Sequence, residues 1–188
     1  MAKTASAMNP LGSIAPDFTL PDPCYNTLIS LQKVAGSVAT VIVFMCNHCP
    51  FVKHILPELP RLANDFADKG VRLIAINAND VGTYPDDAPE HMKALALDYR
   101  FTFSYLFDET QTVAHAYDAR CTPDFFVYDK QLRLVYRGQL DDARPGSELP
   151  VNGASLRHAL MCLIENKPVT ESQKPSLGCN IKWKDNRI

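Results

Sequence analysis

Cys46 and Cys49 bracket Asn47 and His48, directly after the apolar run Val41-Ile42-Val43-Phe44-Met45 and directly before Pro50. Two thiols at this spacing, where a buried strand hands over to a helix, suit reversible disulfide chemistry. Free backbone N–H groups at a helix N-terminus stabilise the thiolate, which is the reactive form of cysteine. The second thiol is near enough to close a small ring and release a mixed disulfide. Asn47 and His48 stand where a side chain tunes the redox poise. A cation or N–H donor beside the thiolate favours the dithiol and makes the disulfide more oxidising.

Other uses of the pair fit less well. A single CxxC is half a zinc site, and zinc usually takes four ligands. Cys121, Cys179 and His48 are the remaining candidates, but His48 is expected to face away from both thiols. Covalent haem attachment needs a His directly after the second cysteine and finds Pro50. A purely structural role is disfavoured because a helix N-terminus makes a thiol reactive.

The pair needs a strand behind it and a helix ahead of it. Thr40–Met45 is a continuous β-branched and apolar run, which suits a buried parallel strand. From Val52, apolar residues at Ile55, Leu56, Leu59, Leu62, Ala63 and Phe66 follow helical spacing. Pro57 and Pro60 predict a break near Leu56. Strands are predicted over Leu28–Leu31, Val71–Ala78, Ser104–Phe107, Phe125–Tyr128 and Leu132–Arg137, the last two a hairpin around Asp129-Lys130. Helices are predicted over Glu90–Tyr99, Thr110–Tyr117 and Ser155–Asn166. Asn79–Pro89 is expected to be a loop, and the tail from Lys167 polar and irregular. The alternation gives an α/β fold, a central mixed sheet flanked by helices.

The chain has 188 residues, 46% hydrophobic and 21% charged, with a formal net charge of -2. That is one ordinary globular domain with a substantial core. No basic run points to nucleic acid or an anionic membrane, and no segment is long enough to span a bilayer. Met1 to Ser13 does not read as a secretory signal. Six cysteines in a chain this long are too few for a disulfide scaffold.

The remaining residues carry weaker signals. Cys162 reads as a small buried hydrophobe and Cys24 as an exposed bystander. Cys121 and Cys179 are candidate accessory thiols. Cys121 would come near the pair through Thr122-Pro123. Cys179 either arrives on a mobile tail as a resolving thiol or lies in a docked strand with Trp183 buried. His54, His91, His115 and His158 lack suggestive partners. Asp86-Asp87 and Asp141-Asp142 read as solvated turns, and Asp108-Glu109 as a helix N-cap.

Taken together, several segments resemble the thioredoxin superfamily, and within it the redoxin or AhpC/TSA-like branch. They are Ala15-Pro16-Asp17-Phe18-Thr19-Leu20-Pro21-Asp22, the CxxC after its strand, and Cys121-Thr122-Pro123-Asp124-Phe125-Phe126-Val127. More narrowly, Cys46-Asn47-His48-Cys49-Pro50-Phe51-Val52-Lys53 and Gly178-Cys179-Asn180-Ile181-Lys182-Trp183 are similar to a peroxiredoxin-like subgroup. The resemblance implies a thioredoxin-like domain over residues 11–170 with an N-terminal β-hairpin extension, and a tail, 171–188, docking on it. It implies Cys46 as the more exposed nucleophile and Cys49 as the resolving thiol, with Thr122-Pro123 a cis-proline segment facing them. The Thr122 backbone is then expected to be free to pair with an extended substrate chain. A His before the second cysteine resembles oxidising members such as protein disulfide isomerases.

Peroxiredoxins are the competing resemblance. Their Thr-x-x-Cys motif would make Cys49 peroxidatic, with Cys46 in place of the threonine. Their supporting arginine falls on Pro123, and Arg120 is offset. The thioredoxin acid in the strand before CxxC is also absent from Val41 to Met45, so Cys49 has no assigned base. Thiol–disulfide exchange therefore ranks above peroxidase activity, and above a non-catalytic redox-sensing or metal-binding module. The implied partners are protein or small-molecule disulfides and a thiol reductant such as a thioredoxin or glutathione system. The expected setting is cytoplasmic, with no cofactor, no nucleic acid and no membrane.

Overall fold

The run Ala39–Phe44 forms a strand whose six residues are all fully buried. Both faces of its sheet are covered, which is why its sequence shows no alternation. In this computed structural model residues 3–185 are described. The elements before that strand are β1 (Lys3–Ala5), β2 (Thr19–Asp22), β3 (Thr27–Ser30) and α1 (Leu31–Val34), with Ala39–Phe44 as β4. After it come α2 (Pro50–Ile55), α3 (Glu58–Ala67), β5 (Val71–Asn77), a 3-10 turn over Pro85–Asp87, α4 (Pro89–Asp98), β6 (Ser104–Phe107) and α5 (Thr112–Ala116). The chain continues through β7 (Cys121–Thr122), β8 (Asp124–Asp129), β9 (Leu134–Gly138), α6 (Ala154–Ile164) and β10 (Leu177–Asn180).

The central sheet has the order β6-β5-β4-β8-β9. β4, β5 and β6 run parallel, and β8 and β9 antiparallel to their neighbours. This is the thioredoxin-like mixed sheet flanked by helices. The two faces of β4 divide the core by the period of a strand. Val41 and Val43 face α2, α3 and α6, with Leu59, Leu62, Phe66, Leu156 and Leu160. Ile42 and Phe44 face Phe18, Leu31, Val113 and Tyr117 on the other side. β2 and β3 make the expected N-terminal hairpin.

The predicted helical break falls between α2 and α3, at Leu56 and Pro57. Pro57 has no N–H to continue the ladder, whereas Pro60 lies in the first turn of α3, where none is required. Arg157 of α6 reaches across to the buried carboxylate of Glu58 at 2.7 Å, joining the two helices. No helix among the described residues is long and apolar enough to cross a membrane.

The largest departure from expectation is at the chain ends. The tail is not irregular throughout: β10 forms a second sheet in the order β1-β10-β7, with Cys179 opposite Thr122 and Asn180 opposite Cys121. Ile181 enters the core beside Ala119 and Phe126. Trp183 is not buried but half-exposed, stacked on His115 with ring centres 4.1 Å apart. Of the two readings for Cys179 the docked strand holds, but without a buried Trp183.

Gly178 marks how closely β10 is seated. A Cβ there would lie 2.0 Å from the Thr122 carbonyl oxygen and 3.1 Å from the Pro123 nitrogen, both backbone atoms. Gly178→Ala is therefore expected to lower stability by about 1–3 kcal/mol in urea unfolding, the cost of overpacking a closed contact. An unchanged unfolding midpoint would show that β10 is not held against Thr122.

Candidate active site

The CxxC loop leaves the C-terminal end of β4, where Met45 N–H donates to Ile76 O of β5. Pro50 then takes the first position of α2, with Cys49 as N-cap. The peptide Thr122-Pro123 is cis and faces the loop, as expected. Cys46 Sγ lies 3.5 Å from Thr122 Oγ1 and 4.0 Å from His48 Nδ1. Cys49 Sγ donates to the Thr122 carbonyl at 3.1 Å. The two sulfurs also hydrogen-bond to each other.

Both sulfurs are buried, Cys46 at 1% exposure and Cys49 at 0%, so the anticipated contrast in accessibility is not present. The stacked rings of His48 and Tyr84, 5.3 Å apart, stand beside Cys46, with Lys182 Nζ over the Tyr84 ring.

The mutual hydrogen bond dominates the acidity of the pair. One sulfur loses its proton well below the ordinary thiol range, and the proton left behind is held well above it. Around Cys49, Thr122, the Cys179 thiol and the Val52 N–H add further donors. Around Cys46, burial and the Asp87 charge oppose ionisation. Yet a thiolate at Cys49 would face the Thr122 carbonyl at 3.1 Å, which a thiol can donate to and an anion is repelled by. The easy first ionisation therefore belongs to the dithiol as a unit.

Asp87 is the residue that sequence reasoning misplaced. It was expected in a solvated turn and is fully buried. One carboxylate oxygen accepts the Asn47 and His48 backbone N–H groups, at 2.8 and 3.2 Å. The other accepts His48 Nδ1 at 2.7 Å and Asn79 Nδ2 at 2.8 Å. His48 therefore does not face away from the thiols: its ring is turned between Cys46 and Asp87. The Asn47 side chain points elsewhere, donating to Asp86 O and accepting from Tyr105 Oη. Asn77 and Asn79 close the network, and Asn79 also accepts the Lys182 backbone N–H. One signal could have found the two asparagines: Asn77 ends a parallel strand and Asn79 follows its carboxyl end, where α/β sheets place their sites.

Asp141 corrects a second turn assignment. It is buried, and its carboxylate accepts the N–H groups of Ala143, Asn152 and Gly153, anchoring the segment before α6.

The other candidates divide clearly. Cys179 is buried in the same core cluster as Cys49, and burial followed by the neighbouring Cys49 pushes its thiol up to about 12. The Cys121 thiol donates to Pro123 O, and burial pushes its acidity far from the neutral range. Cys162 is buried in α6, and Cys24 is partly exposed. Arg120 is engaged by Asp118 at 2.7 Å and is exposed. Among the described residues, no guanidinium is among the donors to either active-site sulfur. Cys46, His48 and Asp87 place one metal-ligating atom each within 4.8 Å of one another. Both Asp87 oxygens already accept two hydrogen bonds, so a cation there must first break the His48–Asp87 pair.

Residues 11–137 match the family described as AhpC/TSA. No curated protein matches the chain. Among solved structures, an uncharacterised conserved protein from Geobacillus kaustophilus is 55% identical, covering 98% of this chain and 97% of its own, with a TM-score of 0.96. A hypothetical protein from Sinorhizobium meliloti 1021 is 45% identical over 96% of this chain and 98% of its own, with a TM-score of 0.94. A protein described as a DsbE-type thiol:disulfide interchange protein, from Chlorobium tepidum, has a TM-score of 0.63. It is 18% identical over 82% of this chain and 98% of its own, a likeness of fold alone.

Asp124, next to the cis-proline, gives the site a pH signature. Burial raises its carboxyl to about 7, although it accepts the Arg120 N–H. A carboxyl raised by folding adds stability below its unfolded value of about 4, and that stability is lost as pH rises through the folded value. Stability is thus expected to fall by a few kcal/mol between about pH 4 and pH 8, and Asp124→Asn to flatten this decline. Urea unfolding at the two pH values reads both, and an equal slope in the variant would remove Asp124 as its source.

Proposed function

The chain belongs to the AhpC/TSA family of the thioredoxin superfamily, whose members are typically oxidoreductases or peroxidases, and from this premise we propose that it catalyses thiol–disulfide exchange through Cys46 and Cys49. The observation that carries the reading is the pair of hydrogen-bonded sulfurs beside the cis Thr122-Pro123 peptide, with the first proton easily lost.

Cys46 is the attacking sulfur. For the attack, the proton that the two thiols share moves to Cys49, which donates it to the Thr122 carbonyl, and the dithiol's charge is then presented by Cys46 near the Thr122 hydroxyl. Attack on an external disulfide forms a mixed disulfide at Cys46 and releases one partner thiolate, which takes a proton. Cys49 then gives up its proton and attacks Cys46 Sγ. The Cys46–Cys49 bond forms, the mixed disulfide breaks, and the second partner thiol leaves. Two electrons have passed from the protein to its partner, and a thiol reductant such as a thioredoxin or glutathione system returns them. Cysteine usage of this kind fits a reducing, cytoplasmic compartment.

His48 tunes the couple and Asn47 holds the loop. His48 Nδ1–H satisfies the Asp87 carboxylate, whose charge otherwise opposes a thiolate at Cys46. With His48 removed, that charge faces the sulfur uncompensated, the thiolate is less stable, and the disulfide is favoured.

Peroxidase activity is the second reading, supported by the donors gathered around Cys49. Among the described residues no cationic donor of the kind that polarises a peroxide touches either sulfur, so exchange ranks above it.

Insulin reduction with dithiothreitol tests the exchange reading. Wild type is expected to accelerate it, and Cys46→Ser to lose the acceleration; no acceleration by wild type would sink the proposal. An NADPH-coupled peroxide assay showing fast turnover that needs Cys49 but not Cys46 would promote the peroxidase reading instead. For His48→Ala, the potential of the couple is expected to become more negative by about 30 mV, equivalent to ~1.4 kcal/mol for two electrons. An unchanged or less negative potential would remove His48 from the tuning role.

A further inference from the structure

The edge of β7 beside the thiols is already occupied. β10 pairs with it antiparallel, and the residue directly opposite Thr122 is Cys179. An extended segment carrying a cysteine lies where the thiol of an extended substrate was expected, so the Thr122 backbone is not free to pair with an external chain. Cys179 is buried in the same core cluster as Cys46 and Cys49, opposite the residue whose carbonyl accepts from Cys49.

The segment is built in rather than resting by chance. β1 pairs with its outer edge. Ser176 N–H donates to Ser6 Oγ, and Ser176 Oγ–H to Gly138 O. Beyond the strand, Ile181 is in the core and Lys182 is bound to Asn79. Gly178 is what permits the close approach to Thr122.

We propose that Cys179 is a third redox thiol of this site, exchanging with the Cys46–Cys49 disulfide at Cys49 so that β10 becomes covalently locked over the partner-binding edge. The proposal rests on the exchange reading of Cys46 and Cys49 and deepens it. The step conserves electrons. Cys179 loses its proton and attacks Cys49 Sγ; the Cys49–Cys179 bond forms, the Cys46–Cys49 bond breaks, and Cys46 leaves as a thiolate that takes up a proton. The oxidising equivalents come from the external disulfide that oxidised the pair, and the protein stays oxidised throughout.

Cys179 is quiet while the pair is reduced. Burial, then the neighbouring Cys49, holds its thiol up at about 12. Once Cys49 is half of a disulfide its sulfur is an electrophile rather than a hydrogen-bond partner, and it becomes the target. The lock forms only in the oxidised protein and leaves Cys46 reduced, ready to reopen it from the other side. Cys121 does not share this role, because its thiol is directed at Pro123 O.

The test uses full-length Cys46→Ser protein oxidised with glutathione disulfide, followed by peptide mass mapping without reduction. The expected product is a Cys49–Cys179 bridge, with alkylation of Cys179 falling about tenfold relative to the reduced sample. Cys179 remaining fully alkylatable, with Cys49 as a thiol or a glutathione adduct, would overturn the proposal. Cys46→Ala, which removes the sulfur without burying a hydroxyl, must give the same bridge; its absence from both variants is decisive. Insulin reduction by wild type judges the exchange reading separately, because neither variant can run that exchange.

Discussion

A carboxylate with no solvent contact must have all its hydrogen bonds supplied by protein, and Asp87 is such a group. Its partners are the backbone of the CxxC loop, the ring of His48 and the side chain of Asn79. The cost of leaving any of these unmade fixes the loop between Cys46 and Cys49 to the turn at Pro85–Asp87. Through Asn79 the same network reaches Lys182 and thus the tail. The orientation of the thiols and the docking of the C-terminal segment therefore depend on one buried charge.

Thr122 serves the same site from the opposite side. Its hydroxyl approaches Cys46, its carbonyl accepts from Cys49, and its strand edge pairs with β10. Sulfur chemistry and strand pairing are thus concentrated on one residue, so that a change in the redox state of the thiols is felt directly by the segment that covers them. A partner chain that needs this edge competes with an intramolecular strand, whose effective concentration is high because it belongs to the same chain.

The scaffold was legible because it is written in apolar periodicity and in proline. The buried run before Cys46, the break at Pro57 and the hairpin around Asp129 follow from rules that act within a few residues. The Cys46–Cys49 pair was legible for the same reason, because its spacing and neighbours are local, whereas the cis peptide before Pro123 was implied by the family resemblance. Asp87 and Asp141 were misread because an acid in a Pro- or Gly-containing loop looks solvated until its donors are known. Most of those donors lie elsewhere along the chain, at Asn47 and His48 for Asp87 and at Asn152 and Gly153 for Asp141. The direction of His48 was misread because a ring nitrogen turns toward whichever acceptor tertiary folding supplies.

The sequence by itself determined the chemistry available: two thiols at a strand–helix junction, facing a proline segment, on an α/β frame of the thioredoxin kind. The thiols and the α/β alternation are properties of residue type and short spacing; the facing proline and the thioredoxin kind came from the family resemblance. Only the tertiary structure decided which groups meet the sulfurs. It turned His48 toward Asp87, buried both thiols, and chose the docked strand for Cys179, setting it opposite Thr122. Burial and backbone pairing are long-range conditions, set when distant segments exclude water together, and they leave little trace in any one stretch of sequence.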